Sequence, residues 1–442
     1  MKKLIPQSIK NIFHLVQAML ANFMYGFPSR KIKVIGVTGT NGKTTTCQMI
    51  TRILEEAGYC VAMASTINFK LGSKEWVNAT KYTTLSPLVT QKFIQQAVNE
   101  ECDYVVLETS SHSLDQCRVW GVQYVVAVIT NITREHLDYH KTIEKYRQAK
   151  SKLFKKAQVA VVNSDMEKPE DFLQFKNKTQ LTYSLQNNQA NIFAEDIKLD
   201  INSSKFKIKN SKFILNMPGE FNIENSLAAV AACLSQGISL KQSSVALEKI
   251  TGVAGRLEAI PNDKNLNVMI DYAVTPDSLQ KLYQYLTSVK KPDSHIIAVF
   301  GSCGERDRGK RPLMGEIVST SADYVIITNE DPYGEDPVQI INEVFSGVVG
   351  HEVIGEIPNF QFSIFNFQSN SNDQISNVKT EGVNCWRIFD RREAIGFALK
   401  LAKVGDIAIV TGKGAEEMMA IGDQMIEWND KKVIQEELAK LQ

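Results

Sequence analysis

The sequence predicts an α/β protein with a P-loop-type central domain, built on a mostly parallel sheet, and a C-terminal Rossmann-like α/β domain. Two series of short apolar runs alternate with segments of helical periodicity, one between residues 31 and 162 and one from residue 266 onward. This alternation is typical of parallel sheets covered by helices. A glycine-rich turn ending in Lys-Thr separates the first apolar run from the first helical segment.

The first series predicts the sheet of the central domain. Its first helix is expected over Thr45–Ala57, where apolar residues recur at three- and four-residue spacing. Residues 180–217 alternate over short stretches, which predicts antiparallel strands at the domain edge, and a helix over Ile223–Leu234 closes the domain. The predicted parallel strands are Ile32–Val37, Cys60–Ala64, Tyr104–Leu107, Val122–Ile129 and Val159–Val162.

The second series predicts the C-terminal domain. Helices are expected over Ser278–Val289 and Arg391–Ala402, between the strands Val268–Ile270, Ile296–Phe300, Tyr324–Ile327 and Ile407–Val410. Residues 358–380, rich in Asn, Ser, Gln and Phe, are interpreted as a surface insertion. We therefore predict an N-terminal helical segment (1–30), a central domain (31–252) and a C-terminal domain (253–442).

The N-terminal segment is apolar but does not have the pattern of a signal peptide. Lys2, Lys3 and Lys10 accompany the apolar stretch Ile9–Phe27, polar residues interrupt that stretch, and no small-residue cleavage site follows it. We expect a helix packed on the central domain. Contact of this helix with a partner or a membrane surface is the alternative.

Composition excludes several classes of protein. The 50 basic and 49 acidic residues leave a net charge of +1, which argues against a dedicated nucleic-acid binder. The seven cysteines are scattered and form no C-x-x-C pair, so a zinc ribbon is not expected. We expect reduced thiols, as in a cytoplasmic enzyme. No apolar run is long enough for a transmembrane helix.

The glycine-rich turn predicts a loop that binds the phosphates of a nucleotide. Gly39 and Gly42 allow the backbone to turn its N–H groups toward an anion at a helix N-terminus. Lys43 supplies a positive charge for the β- and γ-phosphates, and the Thr44 hydroxyl is a ligand for Mg²⁺. The predicted nucleotide-binding loop comprises Gly39, Thr40, Asn41, Gly42, Lys43, Thr44 and Thr45.

Two further strands end in side chains that can hold a metal ion. Glu108 follows the strand Tyr104–Leu107, and His136 follows the next strand along the chain. Because ligands of parallel sheets bind at the carboxyl ends of the strands, both residues are expected beside the phosphate loop. Glu108 is therefore predicted to hold Mg²⁺ together with Thr44, and His136 to bind the metal or a phosphate.

These segments together resemble the Mur ligase family, and in particular its branch that adds the third residue of the peptidoglycan stem. The resemblance covers about residues 31–442. It rests on Gly-Thr-Asn-Gly-Lys-Thr (39–44), Glu-Thr-Ser-Ser-His (108–112), Thr-Asn-Ile-Thr-Arg-Glu-His-Leu-Asp-Tyr-His (130–140), Tyr-Arg-Gln-Ala-Lys-Ser-Lys-Leu-Phe (146–154), residues 300–315, residues 390–395 and residues 412–416.

The resemblance implies an ATP- and Mg²⁺-dependent amide ligase. Such an enzyme adds an amino acid to a UDP-N-acetylmuramoyl-dipeptide-like acceptor through an acyl phosphate, in peptidoglycan precursor synthesis. The implied catalytic residues are Lys43, His136 and Lys150, the last as a carbamylated lysine that completes the metal ligands Thr44, Glu108 and His136. Further implied contacts are Asn222, Asn225, Arg256 and Asp271 with the nucleotide, Thr83, Thr84, Ser111, Gln116 and Arg118 with the acceptor, and Arg311, Asp331, Gly412 and Glu416 with the amino acid.

The chain departs from the family pattern at three places. Only about thirty residues precede the phosphate loop, so no dedicated uridine site is expected. Glu-Asp-Pro-Tyr (330–333) replaces the Asp-Asn-Pro-Arg of diaminopimelate-adding enzymes, and Val274 and Ala415 replace common histidines. Two alternatives stay open: a folylpolyglutamate synthase-like or other amide ligase of the superfamily, and a non-enzymatic scaffold that binds nucleotide.

Overall fold

The computed structural model describes residues 6–78, 83–350 and 384–441, which form two compact units, Met1–Val253 and Ala254–Gln442. The predicted insertion at 358–380 lies outside the described residues. No helix in the described ranges is long and apolar enough to cross a membrane.

The described strands of the first unit form one 11-stranded sheet in the order β11-β10-β9-β8-β7-β6-β1-β5-β2-β3-β4. The strands from β2 through β5, β1, β6, β7 and β8 to β9 pair in parallel. The strands are β1 Lys33–Thr38, β2 Val61–Ala64, β3 Asn68–Leu71, β4 Lys74–Val77, β5 Tyr104–Glu108, β6 Tyr124–Ile129, β7 Val159–Asn163, β8 Thr179–Ser184, β9 Ile192–Leu199, β10 Ser204–Ile208 and β11 Ser211–Leu215.

Helices cover both faces of this sheet, which makes its central strands apolar throughout. In β1, Val34 belongs to the hydrophobic cluster on one face, whereas Ile35 and Val37 belong to the cluster on the other. The helices are α1 Gln7–Met24, α2 Lys43–Glu56, α3 Pro87–Asn99, α4 Ser111–Asp115, α5 Leu137–His140, α6 Ile143–Ser151, α7 Glu170–Leu173, α8 Glu220–Leu234 and α9 Leu240–Glu248.

The edge of the sheet differs from the sequence prediction. Residues 180–217 were expected to form antiparallel strands, but β8 pairs in parallel with β7, and β9 in parallel with β8. Only β9, β10 and β11 are joined in antiparallel fashion there. The alternating pattern reports which face of a strand is buried and carries no information on the direction of its neighbour.

The second unit has a six-stranded sheet in the order β12-β13-β17-β14-β15-β16, parallel except for β12, and a separate antiparallel hairpin, β18–β19. Its strands are β12 Glu258–Ala259, β13 Asn267–Asp271, β14 Ile296–Phe300, β15 Tyr324–Thr328, β16 Cys385–Ile388, β17 Ile407–Thr411, β18 Met418–Ile421 and β19 Gln424–Glu427. Its helices are α10 Pro276–Val289, α11 Lys310–Ser321, α12 Pro337–Phe345, α13 Arg391–Leu401 and α14 Asp430–Lys440.

A buried ion pair joins the first residues of α13 and α14. Arg391 Nε and Nη2 lie 2.9 and 2.6 Å from the two carboxylate oxygens of Asp430, and both side chains are almost completely buried. Arg391 Nη2 also donates to the carbonyl of Thr411 at the end of β17. The pair therefore fixes two helices to the edge of the sheet where the strands end.

We expect Arg391→Ala to lower the free energy of unfolding of the second unit by about 3–5 kcal/mol, because it leaves Asp430 charged, buried and unpaired. The matched control is Arg392→Ala, since the neighbouring Arg392 pairs with Glu436 and Glu437 at the surface and such pairs contribute about 0–1 kcal/mol. Urea unfolding followed by circular dichroism measures both changes. Equal costs for the two variants would contradict the assignment.

Candidate active site

The phosphate loop connects β1 to α2 and depends on two glycines. Gly39 and Gly42 have φ values of +152° and +81°, which favour glycine. A Cβ at Gly39 would collide with the Thr130 side chain, and one at Gly42 would collide with the amide of Asn225. The loop is thus shaped by neighbours that leave no room for a side chain, and α2 begins directly after it at Lys43.

The end of β6 holds the loop from one side. The Asn131 side chain accepts a hydrogen bond from the Asn41 N–H at 2.9 Å and donates one to the Asn41 carbonyl at 3.2 Å. The Thr130 hydroxyl donates to the same carbonyl at 2.6 Å. The Thr40 hydroxyl lies 3.1 Å from the Tyr146 hydroxyl on α6. These bonds fix the loop backbone with its N–H groups at the N-terminus of α2, where the helix dipole favours an anion.

Glu108 lies next to Thr44, as expected from the strand ends. The Thr44 hydroxyl donates to Glu108 Oε2 at 2.9 Å, and the carboxylate is 2% exposed. Thr66 donates to it twice at 2.8 Å, from its backbone N–H to Oε2 and from its hydroxyl to Oε1. Three donors therefore orient a buried carboxylate beside the first turn of α2.

Lys150 on α6 points into the same region. Its side chain is 1% exposed, and Nζ donates to the carbonyl of Gly39 at 2.6 Å while lying 4.5 Å from the centre of the Tyr146 ring. Burial lowers the pKa of Lys150 well below its ordinary value; the nearby charge of Lys43 adds to this, and Glu108 opposes it. The amine is thus placed at the phosphate loop and biased toward its neutral, nucleophilic form.

Three histidines and two tyrosines pack together beside the loop. The rings of His112 and His136 are 4.7 Å apart, and the ring of His112 is 5.4 Å from that of His140. Burial lowers the pKa of His140 to about 4, so this imidazole is neutral near pH 7. His136, the candidate metal ligand, immediately precedes α5 and has a left-handed backbone conformation with a φ of +57°. The cluster also includes Tyr139 and Tyr146.

The residues that the family resemblance assigns to the acceptor lie around the loop after β5. The Thr84 hydroxyl donates to the Glu108 carbonyl at 3.1 Å, and Arg118 Nη1 donates to the Thr84 carbonyl at 3.0 Å. The Ser111 hydroxyl lies 3.0 Å from Nε2 of His140. Hydrogen bonds thus connect these residues to the strand that carries Glu108. The full set is Thr83, Thr84, Ser111, Gln116 and Arg118.

The residues assigned to the nucleotide occur in both units. Asn225 lies against the phosphate loop, where its Oδ1 accepts a hydrogen bond from the Thr46 hydroxyl at 3.4 Å. Asn222, one turn earlier on α8, is buried and donates to the carbonyl of Pro218. In the second unit, burial raises the pKa of Asp271, and Arg256 opposes the rise. Arg256 also stacks on the Tyr272 ring at 4.4 Å.

A charged cluster forms where β15 and β17 end in the second unit. The buried Lys413 ammonium lies 2.7 Å from Asp331 Oδ2 and 2.5 Å from Glu416 Oε2. Asp331 also accepts a hydrogen bond from the Ala420 N–H, and Glu416 one from the Tyr272 hydroxyl. Two of the predicted amino-acid contacts are therefore brought together by a lysine that the sequence interpretation did not include.

Gly412 and Glu330 meet at the same place. Gly412 has a φ of +113°, and a Cβ there would collide with the Glu330 carboxylate. Glu330 is 4% exposed, and its Oε2 has no hydrogen-bond partner among the described residues. Burial raises its pKa to about 7, although Arg391 opposes the rise. A carboxyl group that is half protonated near neutral pH thus lies next to the charged cluster.

Arg311, the remaining predicted amino-acid contact, is engaged within the second unit. Its side chain is completely buried, with Nη1 3.0 Å from Glu335 and 2.6 Å from Glu343. Nη2 donates to the carbonyl of Cys303. These contacts hold α11 and α12 beside the loop that follows β14, and the contact of Arg311 with the amino acid stays a prediction.

Sequence reasoning missed Thr66, Asn131 and Tyr146. Thr66 follows β2, so the strand-end rule that identified Glu108 would also have identified Thr66. Asn131 and Tyr146 lie inside motifs that had been noticed, but Asn131 bonds to the backbone of Asn41 and Tyr146 to the hydroxyl of Thr40, and neither contact leaves a residue-type signal of its own. The described residues contain no group of three or more His, Cys, Asp or Glu arranged to hold a metal ion.

The phosphate loop and the two sheets define a nucleotide-binding α/β protein. Residues 37–233 match the model of the Mur ligase middle domain, and residues 255–414 match that of the Mur ligase glutamate ligase domain. The chain is 38% identical over 425 residues to UDP-N-acetylmuramoyl-L-alanyl-D-glutamate--2,6-diaminopimelate ligase of Clostridium botulinum, covering 95% of this chain and 80% of that protein. It therefore belongs to the Mur ligase family, whose members are ATP-dependent ligases that form carbon–nitrogen bonds.

Other similar proteins agree with this membership. The ligase of the same name from Bacillus cereus is 34% identical over 441 residues, covering 97% of this chain and 82% of its own. A solved structure with that name superposes with a TM-score of 0.60 at 30% identity, covering 92% of this chain and 78% of its own. Folylpolyglutamate synthase of Mycobacterium tuberculosis superposes with a TM-score of 0.67 at 15% identity, covering 90% and 92%, which shows a shared fold.

We expect Glu330→Gln to change how stability depends on pH. The native pKa of Glu330, about 7, exceeds the unfolded value of about 4.3, so this group lowers the free energy of unfolding as the pH rises from about 4 to above 7, by at most about 4 kcal/mol. The variant lacks this loss. Denaturant unfolding at pH 5 and pH 8 measures the effect. The free energy of unfolding of the variant, relative to that of the natural protein, should be higher at pH 8 than at pH 5.

The matched control for this experiment is Glu335→Gln. Hydrogen bonds from Arg311 and neighbours lower the pKa of Glu335 to about 2, so its stabilising effect is complete above the unfolded pKa of about 4.3. The free energy of unfolding that this variant loses relative to the natural protein should therefore be nearly the same at pH 5 and pH 8. If the stability difference between Glu330→Gln and the natural protein is also the same at pH 5 and pH 8, the raised pKa of Glu330 is contradicted.

Proposed function

We propose that this protein is an ATP-dependent amide ligase that adds an amino acid to a UDP-N-acetylmuramoyl-dipeptide-like acceptor through an acyl phosphate, in peptidoglycan precursor synthesis. The observation that carries the proposal is the phosphate loop with Thr44, Glu108 and Lys150 gathered beside it. The names of the relatives support the acceptor class. Reliance on ATP and a nucleotide-linked acceptor favours a cytoplasmic location.

The described residues fit Mg²⁺ as the metal. Mg²⁺ prefers oxygen ligands and is commonly held by one or two carboxylates, water and substrate phosphates. Thr44 and Glu108 provide a hydroxyl and a carboxylate 2.9 Å apart at the phosphate loop, and His136 lies in the neighbouring ring cluster. When bound, Mg²⁺ would neutralise charge on the β- and γ-phosphates. A site with one carboxylate depends on a second anion, which a carbamate on Lys150 provides.

The chemistry of the proposed reaction explains what the loop residues do. A carboxylate is a poor electrophile, so the acceptor carboxylate attacks the γ-phosphate of ATP, ADP leaves, and an acyl phosphate forms. The neutral amine of the amino acid then attacks the acyl carbon and expels phosphate. Lys43 and the loop N–H groups stabilise the charge that spreads over the transferring phosphoryl group, which is the largest contribution expected of the protein.

Lys150 is proposed to carry a carbamate. Carbamylation requires a neutral amine that attacks CO₂, and burial of Lys150 lowers its pKa in that direction. The product is an anion beside the phosphate loop, where the unmodified Nζ lies 2.6 Å from the carbonyl of Gly39. An anion at this position removes the repulsion between Lys150 and the metal.

The acceptor and amino-acid sites are proposed on each unit separately. In the central domain, 31–252, Arg118 and the hydroxyls of Thr84 and Ser111 would read the acidic dipeptide, because guanidinium–carboxylate pairs are strong and directional. In the C-terminal domain, 253–442, Arg311, Asp331, Gly412 and Glu416 would contact the amino acid, with Lys413 holding Asp331 and Glu416 together. Tyr333 occupies the position of the family arginine, so a second acidic head group on the amino acid is not required.

The proposed function is tested by phosphate release in a panel of acceptors and amino acids. The panel contains a UDP-N-acetylmuramoyl-dipeptide, the same dipeptide acceptor without UDP, and a folate acceptor, each with lysine, diaminopimelate or glutamate. Turnover with the muramoyl dipeptides is expected. Comparison of the KM values with and without UDP measures how much the uridine end of the acceptor contributes to binding. Turnover with folate and glutamate alone would overturn the proposal in favour of the folylpolyglutamate-type alternative.

Lys43→Ala should lower kcat by at least about 100- to 1,000-fold, because it removes a positive charge from the transferring phosphoryl group. Lys33→Ala is the matched control, since Lys33 lies at the other end of β1 and contacts Tyr104. The measurement is ATP-dependent phosphate release at saturating substrate. Turnover retained by Lys43→Ala would show that the loop does not bind the reacting phosphate.

Lys150→Ala should lose at least tenfold in kcat and regain part of it when a short-chain carboxylate is added, because the added anion replaces the carbamate. ¹³C NMR of the natural protein in ¹³C-bicarbonate should show a carbamate carbon that is absent from Lys150→Ala. Lys145→Ala, on the exposed side of the same helix, should keep both the signal and the activity. Full activity of Lys150→Ala without a carboxylate would contradict the proposal.

A further inference from the structure

The N-terminal helix α1 is oriented with its more polar face toward the protein. Its buried residues include Asn22, which donates to the carbonyl of Trp120 at 2.8 Å, and Ala18 and Ala21. Asn11, on the same face, donates to the Asp115 carbonyl at 3.3 Å. The interior contacts of α1 are therefore made by small and polar side chains, the reverse of the usual arrangement in a surface helix.

The opposite face of α1 is apolar and exposed. Its main apolar side chains are 48% to 74% exposed. They recur mostly at three- and four-residue spacing, so they form a continuous stripe along the helix. Exposed apolar patches of this kind mark sites of contact with proteins or membranes. We call this the α1 stripe; its main members are Ile12, Phe13, Val16, Leu20, Phe23 and Met24.

The charges that α1 and its flanking segments themselves carry have a single sign, and the nearby Asp115 is paired with Lys152. The first acidic residue of the chain is Glu55, whereas residues 1–33 contain six basic residues. Lys10 lies on α1, and Arg30 and Lys31 are exposed just beyond its C-terminal end, where Arg30 also stacks on Phe27 at 4.5 Å. Basic groups that flank an apolar helical stripe complement a surface of anionic headgroups over an apolar layer.

We propose that the α1 stripe binds the surface of a membrane rich in anionic lipids, with α1 lying in the headgroup region. The apolar side chains enter the acyl boundary, and Lys10, Arg30 and Lys31 contact lipid phosphates. Self-association through the same stripe is disfavoured, because it would bring two sets of basic residues together, and α1 and its flanking segments carry no acidic residue to pair with them. The bonds of Asn11 and Asn22 to the first unit keep the apolar side outward.

The test is flotation of the full chain with vesicles of phosphatidylglycerol and phosphatidylethanolamine, compared with vesicles of phosphatidylcholine alone. The natural chain should partition at least tenfold more strongly onto the anionic vesicles, and added salt should weaken this binding. Phe13→Ser/Leu20→Ser/Phe23→Ser should lose at least tenfold in partition. Val404→Ser, an equally exposed apolar residue in the second unit, should lose nothing.

A charge variant provides an independent measurement. Lys10→Glu/Lys31→Glu should weaken binding to anionic vesicles by at least tenfold, as expected from about fivefold per basic residue near the surface, and should leave the weak binding to phosphatidylcholine unchanged. Circular dichroism and thermal unfolding report whether each variant is folded. Equal partition onto both vesicle types, or no loss in either variant, would overturn the proposal.

The oligomeric state without lipid is the remaining comparison. Sedimentation velocity of the natural chain should give one species over a wide range of concentration. Concentration-dependent association that the triple serine variant abolishes would assign the α1 stripe to a second copy of the chain and overturn the lipid proposal. Both measurements use the protein without substrate, so their outcome does not depend on the proposed ligase activity.

Discussion

The candidate active site depends on the space that two glycines leave free. Gly39 and Gly42 let the loop between β1 and α2 approach Thr130 and Asn225 so closely that no Cβ fits between them. The same neighbours then bond to or pack on the loop and hold its N–H groups in place. Lys43 and Thr44 begin α2 directly after this loop, so the placement of the phosphate-binding charge and hydroxyl follows from backbone contacts that tolerate only glycine.

Charge placement around the loop follows from burial. Glu108 and Lys150 are both nearly inaccessible to water, and isolated buried charges are costly. Glu108 is compensated by three hydrogen-bond donors, whereas Lys150 donates to a carbonyl and is pushed toward neutrality. The second unit resolves the same problem differently, since Lys413 is paired with two carboxylates and Glu330 is shifted toward its neutral form. Buried ionisable groups thus accumulate where the strands end in each unit.

Much of this arrangement could be predicted from the sequence. Parallel strands end at one edge, so a glycine turn after β1 and a glutamate after β5 had to be neighbours, and Thr44 and Glu108 are in hydrogen-bond contact. What could not be predicted are contacts set by packing. The ion pairs of Arg311 with Glu335 and Glu343, 24 and 32 residues away, are an example. The direction of β8 was also beyond reach, because alternation of apolar residues does not encode it.

The contact of α8 with the phosphate loop bears on how this chain acquires its binding site during folding. Asn225, which forms one wall of the loop, bonds to Thr46 across 179 residues of sequence, and Thr130 bonds to Asn41 across 89. These contacts cannot form before α8 is in place, and closing such long loops costs chain entropy. The loop therefore reaches its final shape only when the last helices of the first unit have packed. A nascent chain that has not yet reached α8 therefore lacks the Asn225 side of this loop.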